Sequence, residues 1–192
     1  WSQRGDGLNP RLTRRFDLTG LSQATLSFRL WYDLEANWDY AYVSVSTDEG
    51  QSWRALPGRH TTERDPLSRA LGPGYTGLSG NGPTAEWVDE QIDLTPFVGH
   101  PVLLRFEVVT DDSVSGPGLA LDDIAIPELG FFDDAESDGA GWQAEGFFRT
   151  NNLVHQDYIV QVIQQRRDGT QVRQVPLDET MRGELVVSGF GG

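Results

Sequence analysis

Apolar and polar residues alternate with a period of two along most of this chain. Leu26, Phe28, Leu30 and Tyr32 are separated by Ser27, Arg29, Trp31 and Asp33. Val43 and Val45 fall between Tyr42, Ser44 and Ser46, and Val102, Leu104, Phe106 and Val108 alternate with Leu103, Arg105, Glu107 and Val109. Successive side chains of a strand point to opposite faces, so these segments predict strands with one buried face. No segment of the first 130 residues carries the 3.6-residue repeat of an amphipathic helix. The fold class is all-β, and an antiparallel sandwich of two sheets buries one face of every strand. An internal echo points to a jelly roll. Phe16-Asp17-Leu18-Thr19-Gly20 and Ile92-Asp93-Leu94-Thr95-Pro96 each set an Asp-Leu-Thr turn shortly before an alternating strand, as matching positions in two halves would.

The segment Gly118-Leu119-Ala120-Leu121-Asp122-Asp123-Ile124-Ala125-Ile126 predicts a buried strand with two acids in its middle. Strict alternation puts Asp122 on the face of Ile124 and Ile126, and Asp123 on that of Leu121 and Ala125, so one carboxylate faces the interior or its rim. A buried carboxylate is costly unless paired or bound to a metal. Between Arg54 and Glu86 the alternation stops, and the Gly/Pro-rich stretch 71–83 predicts an irregular loop, which in a compact domain is functional or mobile. Its neighbours Arg59, His60, Arg64 and Arg69 either dock an acidic surface or are simply solvated. Pro127-Glu128-Leu129-Gly130 reads as a connector. The predicted organisation is therefore a jelly roll over 1–127 and a small β unit over 128–192, packed on it or the truncated start of a second β-domain. In the latter, strands are expected over 158–163 and 184–187, with a hairpin turn at Arg167-Asp168-Gly169-Thr170.

Charge narrows the partners. The net charge of -14 argues against nucleic acid, whose phosphates need a basic surface, and suits an exported protein or calcium. No apolar run is long enough to span a membrane. With no cysteine, disulfides, thiolate zinc sites and thiol nucleophiles are excluded. The chain does not begin with Met and is expected to be a processed chain or an excised piece.

Candidate chemistry lies in the turns. Ser46-Thr47-Asp48-Glu49-Gly50-Gln51-Ser52-Trp53 fits the Asp-box pattern S-x-D-x-G-x-[ST]-W, a structural hairpin in which Ser46, Asp48, Gly50 and Trp53 fix the turn. Asp33, Glu35 and Asp39, then Asp111 with Asp112, and Asp122 with Asp123 give three acidic clusters at strand ends. Calcium takes about six to eight oxygen ligands, which strand ends and loops supply. Solvated turn acids are the alternative, and Arg29 or Arg105 as a salt-bridge partner competes with a metal at Asp122. His60, His100 and His155 lie far apart and form no H-E-x-x-H pattern, and no G-x-S-x-G elbow is present. Trp31, Trp38, Tyr40, Tyr42, Tyr75 and Trp87 either form a sugar or protein contact, with Trp38 and Tyr75 foremost, or pack the core and its edges.

Several of these segments, taken in order, resemble one family. Leu12 to Thr19, Trp31 to Tyr40, the Asp-box, Leu71 to Gly77 and Gly116 to Ile124 are similar to the region that follows the catalytic domain in immune inhibitor A-like secreted metallopeptidases. That region looks like a MAM-type jelly roll, and Ala120-Leu121-Asp122-Asp123-Ile124 is close to the MAM signature. Phe131 to Glu136 and Gly141 to Phe147 resemble the segment that follows. The resemblance implies a non-catalytic accessory region, with zinc confined to the catalytic domain of the parent and calcium as a structural ion. It implies secretion, and as partners the catalytic domain of the same polypeptide, a protein substrate or a cell-surface glycan. It also implies that Asp122 ligates calcium together with an acid from a first strand lying before Trp1. A free-standing carbohydrate-binding or adhesion module is the alternative.

Overall fold

A computed structural model of the chain describes residues 1–136, 140–150, 158–166, 168–178 and 182–187. It divides into two compact units, 1–151 and 152–192.

The first unit is an antiparallel β-sandwich. One sheet has the order β4 (Arg54–Ala55), β3 (Tyr40–Ser46), β6 (Pro101–Val109), β1 (Arg11–Asp17) and β9 (Gln143–Glu145). The other has the order β5 (Val88–Asp93), β2 (Thr25–Asp33), β7 (Gly118–Ile126) and β8 (Phe131–Asp133). Every connection except the β3–β4 and β7–β8 hairpins crosses from one sheet to the other, which is the winding expected of a jelly roll. The alternating residues named from the sequence meet between the sheets: Leu26, Phe28, Leu30 and Tyr32 from β2 face Val102, Leu104, Phe106 and Val108 from β6, all buried. Phe28 and Phe106 pack edge to face with centroids 5.1 Å apart. Each such side chain contributes about 1.5–3 kcal/mol by leaving water, so the period-two pattern is also the main source of stability.

In the two echoed turns, Asp17 accepts the Thr19 N–H at 2.9 Å and Asp93 accepts the Thr95 N–H at 2.8 Å. Leu18 and Leu94 are both fully buried.

Three expectations are corrected. First, β7 does not alternate strictly. Arg29 pairs with Asp122 but Ser27 pairs with Ala125, so β7 holds one extra residue. That residue is Asp123, at φ 49. A bulge of this kind lets a strand carry two adjacent polar residues without burying either. Asp122 therefore shares the outer face with Arg29, while Ile124 and Ile126 point inward at 5% and 0% exposure. Second, Pro127–Leu129 is a tight 3-10 turn closed by Gly130 at φ 63, not a linker. The following segment belongs to the sandwich: β8 pairs with β7, β9 pairs with β1, and Ser2 bridges Phe147. Trp142 packs against Phe16, Phe106 and Phe131, and its Nε1 donates to Asp133 at 2.9 Å. The unit thus runs well past residue 127. Third, residues 182–187 carry no strand where 184–187 was expected.

The stretch 71–83 does not stand away from the sandwich. Bridges Ala41–Tyr75, Thr62–Gly74 and Asp33–Leu78 lay it along the outside of the sheets, so all of β3 is buried. Gly74 is required there, because a Cβ would sit 2.6 Å from the Tyr42 ring. The second unit contains a hairpin of β10 (Val160–Arg166) and β11 (Gly169–Val175), turning at the Asp168-Gly169 position anticipated from the sequence. Among the described residues, no helix is long and apolar enough to cross a membrane.

Candidate functional site

Glu35, Asp39 and Asp111 come together at one end of the sandwich. Their carboxylate oxygens lie within 4.8 Å of one another. The register explains why residues so far apart in sequence meet: Tyr40 pairs with Val109, so the residue before β3 faces the loop after β6. Between β2 and β3 the chain makes a tight turn in which the Trp38 and Asp39 N–H groups both donate to the Glu35 carbonyl and Asn37 sits at φ 67. Asp39 is fully buried. Its Oδ1 accepts the Asp111 N–H at 2.9 Å, while its Oδ2 has no hydrogen-bond partner. Asp111 accepts the Ser113 N–H, and the nearby Asp6 accepts the Ser115 N–H.

Among the described residues no arginine or histidine pairs with these three carboxylates; Arg15 pairs with Glu49 and Arg149 with Asp133. Burial, then the charges of Asp111, Asp39 and Asp6, push the Glu35 carboxyl above its ordinary pKa. Burial also raises Asp39, with Asp111 donating an N–H that partly counters it. The group is all oxygen, lacks imidazole and thiolate, and has the donor chemistry of a hard cation site.

Asp122 and Asp123 lie elsewhere. Asp122 is half-buried on the outer face, in register with Arg29, which is in turn in register with Asp89 of β5. Its Oδ1 accepts the Asp123 N–H at 2.9 Å. The Arg29 guanidinium is 5.5 Å from the Trp87 ring centroid. The acid group at Glu35 includes neither Asp122 nor Asp123.

The Ser46–Trp53 hairpin is held by its own side chains. Ser46 Oγ donates to Asp48 at 2.7 Å and accepts the Gly50 N–H at 2.8 Å. Asp48 also accepts the Ser52 N–H at 2.9 Å and the Ser52 hydroxyl at 2.5 Å. Trp53 Nε1 closes the turn on the Gly50 carbonyl, and Arg105 lies 3.7 Å from the Trp53 ring centroid. The Ser52 and Ser46 donors hold the Asp48 pKa down at about 2. Gly50 has φ 87, which fits glycine there.

Of the two proposed contact aromatics, Trp38 is 37% exposed with Arg69 over its ring, but Tyr75 is 1% exposed and offers no surface. Tyr75 packs on Tyr32, and burial followed by the Glu90 charge pushes its pKa well up. An exposed aromatic face lies instead on β2 and its neighbours, where Trp31 leans on Trp1 at 35° with centroids 5.2 Å apart and Trp87 is 42% exposed.

Glu90 was not singled out from the sequence. It is 1% exposed and accepts the Arg59 N–H at 2.6 Å, the His60 N–H at 3.0 Å and the Gln91 N–H at 2.7 Å. Alternation of Val88, Glu90 and Ile92 was the available signal, because it places the acid on the inward face.

A family model described as "Immune inhibitor A-like, MAM domain" matches residues 1–152. The pre-pro-metalloprotease PrtV of Vibrio cholerae serotype O1 is 33% identical over 159 residues, which is 79% of this chain and 16% of PrtV. Immune inhibitor A of Bacillus thuringiensis subsp. alesti is 31% identical over 140 residues, 71% of this chain and 18% of that protein. Bacillopeptidase F of Bacillus subtilis is 27% identical over 103 residues, 54% of this chain and 6% of that protein. The chain thus spans less than a fifth of the length of each of these curated relatives.

Proposed function

Because the chain belongs to the immune inhibitor A-like family through its MAM domain, we propose that it is a non-catalytic accessory region of an exported bacterial zinc metallopeptidase. It packs against the catalytic domain of the same polypeptide, stabilises it, and presents a surface to protein substrate or to the cell exterior. Calcium is its structural ion, and zinc belongs to the catalytic domain of the parent. The observation that carries this is how little of the relatives is matched. Two relatives named for metalloprotease or immune-inhibitor activity match this chain over 16% and 18% of their length, and the matched part of this chain is a β-sandwich. The polar groups described above are spent on turns, a loop anchor and an all-oxygen acid cluster.

Deleting this region from a full-length metallopeptidase that carries it tests the assignment. The expected result is a lower melting temperature and faster inactivation of the catalytic part, with no casein turnover by the isolated region. Unchanged stability on deletion, or turnover by the region alone, would overturn it. A glycan-binding role is favoured by one observation, the exposed Trp87 beside Arg29 and Trp31 on the outer face of β2 and β5. Tight binding on a glycan array, lost in Trp87→Ala, would establish it.

A further inference from the structure

We propose that Glu35, Asp39 and Asp111 bind one calcium ion, and that the ion ties the segment leading into β1 to the loops at this end of the sandwich. The proposal rests on calcium being the structural ion and assigns it a place away from Asp122. Two observations converge on these residues. Three carboxylates gather within 4.8 Å with no arginine or histidine of the described residues paired with them. Independently, Asp39 is fully buried and its Oδ2 has no partner. A buried carboxylate oxygen without a donor is expensive, and a bound cation removes the cost. Its other oxygen is already fixed by the Asp111 N–H, so the free one is held in place rather than left to rotate towards solvent.

Calcium fits better than other ions. Donors are carboxylates, with no nitrogen or sulfur ligand, which disfavours zinc and copper. They come from two loops of irregular backbone, which suits the variable coordination of calcium more than the strict octahedron of magnesium.

The surrounding hydrogen bonds show what the ion would hold together. Gly7 N–H donates to the Asp111 carbonyl, Leu8 N–H to Thr110 Oγ1 at 2.9 Å, and Thr110 Oγ1 to the Gly5 carbonyl at 2.9 Å. Asp6 caps the Ser115 N–H at 3.1 Å. On the other side, Thr76 Oγ1 donates to the Glu35 carbonyl and accepts the Asn37 N–H. The segment 5–8, the β2–β3 turn, the β6–β7 loop and the 71–83 stretch therefore all meet around three like charges. Neutralising those charges strengthens every one of these contacts.

The test uses the 192-residue chain, stripped with chelator and titrated with calcium chloride, with magnesium chloride in parallel. Calorimetry is expected to show one calcium bound per chain, a saturable rise in melting temperature, and slower hydrogen exchange at residues 5–8 and 111–116. Asp39→Asn keeps the Oδ1 contact and loses the charge; it should weaken calcium binding at least ten-fold, while Asp122→Asn binds as wild type. Glu35→Gln, at the half-buried rim, gives the same answer should Asp39→Asn fail to fold. If wild type binds no calcium, both the site and the structural role of calcium are wrong. If calcium binds but only Asp122→Asn loses it, the site is wrong and the structural ion stands. Preference for magnesium would overturn the choice of calcium. None of these outcomes bears on packing against a catalytic domain, which the deletion experiment decides.

Discussion

Replacing Glu90 by Ala should unfasten the loop between β4 and β5. The carboxylate is buried under that loop and takes the N–H groups of Arg59 and His60, with the His60 Nδ1 3.4 Å from Oε2. Gly58 passes so close that a Cβ would sit 2.8 Å from the carboxylate carbon. Each backbone donor left unsatisfied costs about 1–3 kcal/mol. Two donors at the lower part of that range give a loss of about 2–4 kcal/mol, a large share of the roughly 5–15 kcal/mol that holds a domain folded. In a domain of this size that is a fall in melting temperature of about 5–15 °C. Urea denaturation followed by tryptophan fluorescence reads it directly. Glu90→Gln keeps one acceptor oxygen and should lose about half as much as Ala. A loss within about 0.5 kcal/mol for Glu90→Ala, the range of an ordinary surface substitution, would show that the loop does not depend on this anchor.

Other expectations follow from pKa and backbone geometry. Burial lifts the Tyr42 hydroxyl from the ordinary 10 to about 12, with Leu71 N–H donating to it at 3.0 Å. A folded-state value above the unfolded one gives stability that is complete below pH 10 and lost as pH rises through about 12. Tyr42→Phe should flatten that alkaline limb in a pH-dependent melt. Asp48 is shifted the other way, to about 2, so its contribution is present above its unfolded pKa near 3.8 and lost as pH falls through about 2. A carboxyl NMR titration should place Asp48 below the other exposed acids, and Ser52→Ala should raise it. Asp123 occupies the left-handed region at φ 49. Asp123→Gly should be neutral or stabilising, and Asp123→Val should cost about 1–2 kcal/mol by chemical denaturation; equal stability of the two would argue against the bulge.

How much of this was legible in the sequence differs by element. The strands around Phe28, Val43 and Phe106 were plain, because burial of one face writes itself directly into alternation. The bulge in β7 was not. A single inserted residue leaves composition and apolar content unchanged, and only the partner's register reveals it. The extent of the first unit was misjudged for a related reason. Pro127 to Gly130 has the composition of a linker, but the same residues make a hairpin turn once Phe131 and Trp142 find the core. The acid cluster was half visible. Glu35, Asp39 and Asp111 stood out as acids at strand ends, but their meeting depends on β3 lying beside β6, which no local pattern states. For Tyr75 the sequence left surface contact and core packing both open; its loop pairs with β3 through Ala41, and Gly74 fits against the Tyr42 ring, which carries Tyr75 inward.

The pairing of residues 1–3 with 146–148 has a mechanical consequence. Trp1 and Phe148 exchange backbone hydrogen bonds at 3.0 Å each, and Gln3 N–H donates to the Gly146 carbonyl at 2.6 Å. The path into the sandwich and the path out of it therefore lie side by side and run in opposite directions. Tension drawing the two paths apart would load these bonds one after another, as in opening a zip, rather than all together as in sliding strands. The sandwich would give way first at this seam and at modest force, leaving the Phe28–Phe106 interior intact. The same proximity means that a chain could enter and leave the sandwich at nearly one point, so that the whole unit could sit within a host polypeptide without holding its neighbouring segments apart.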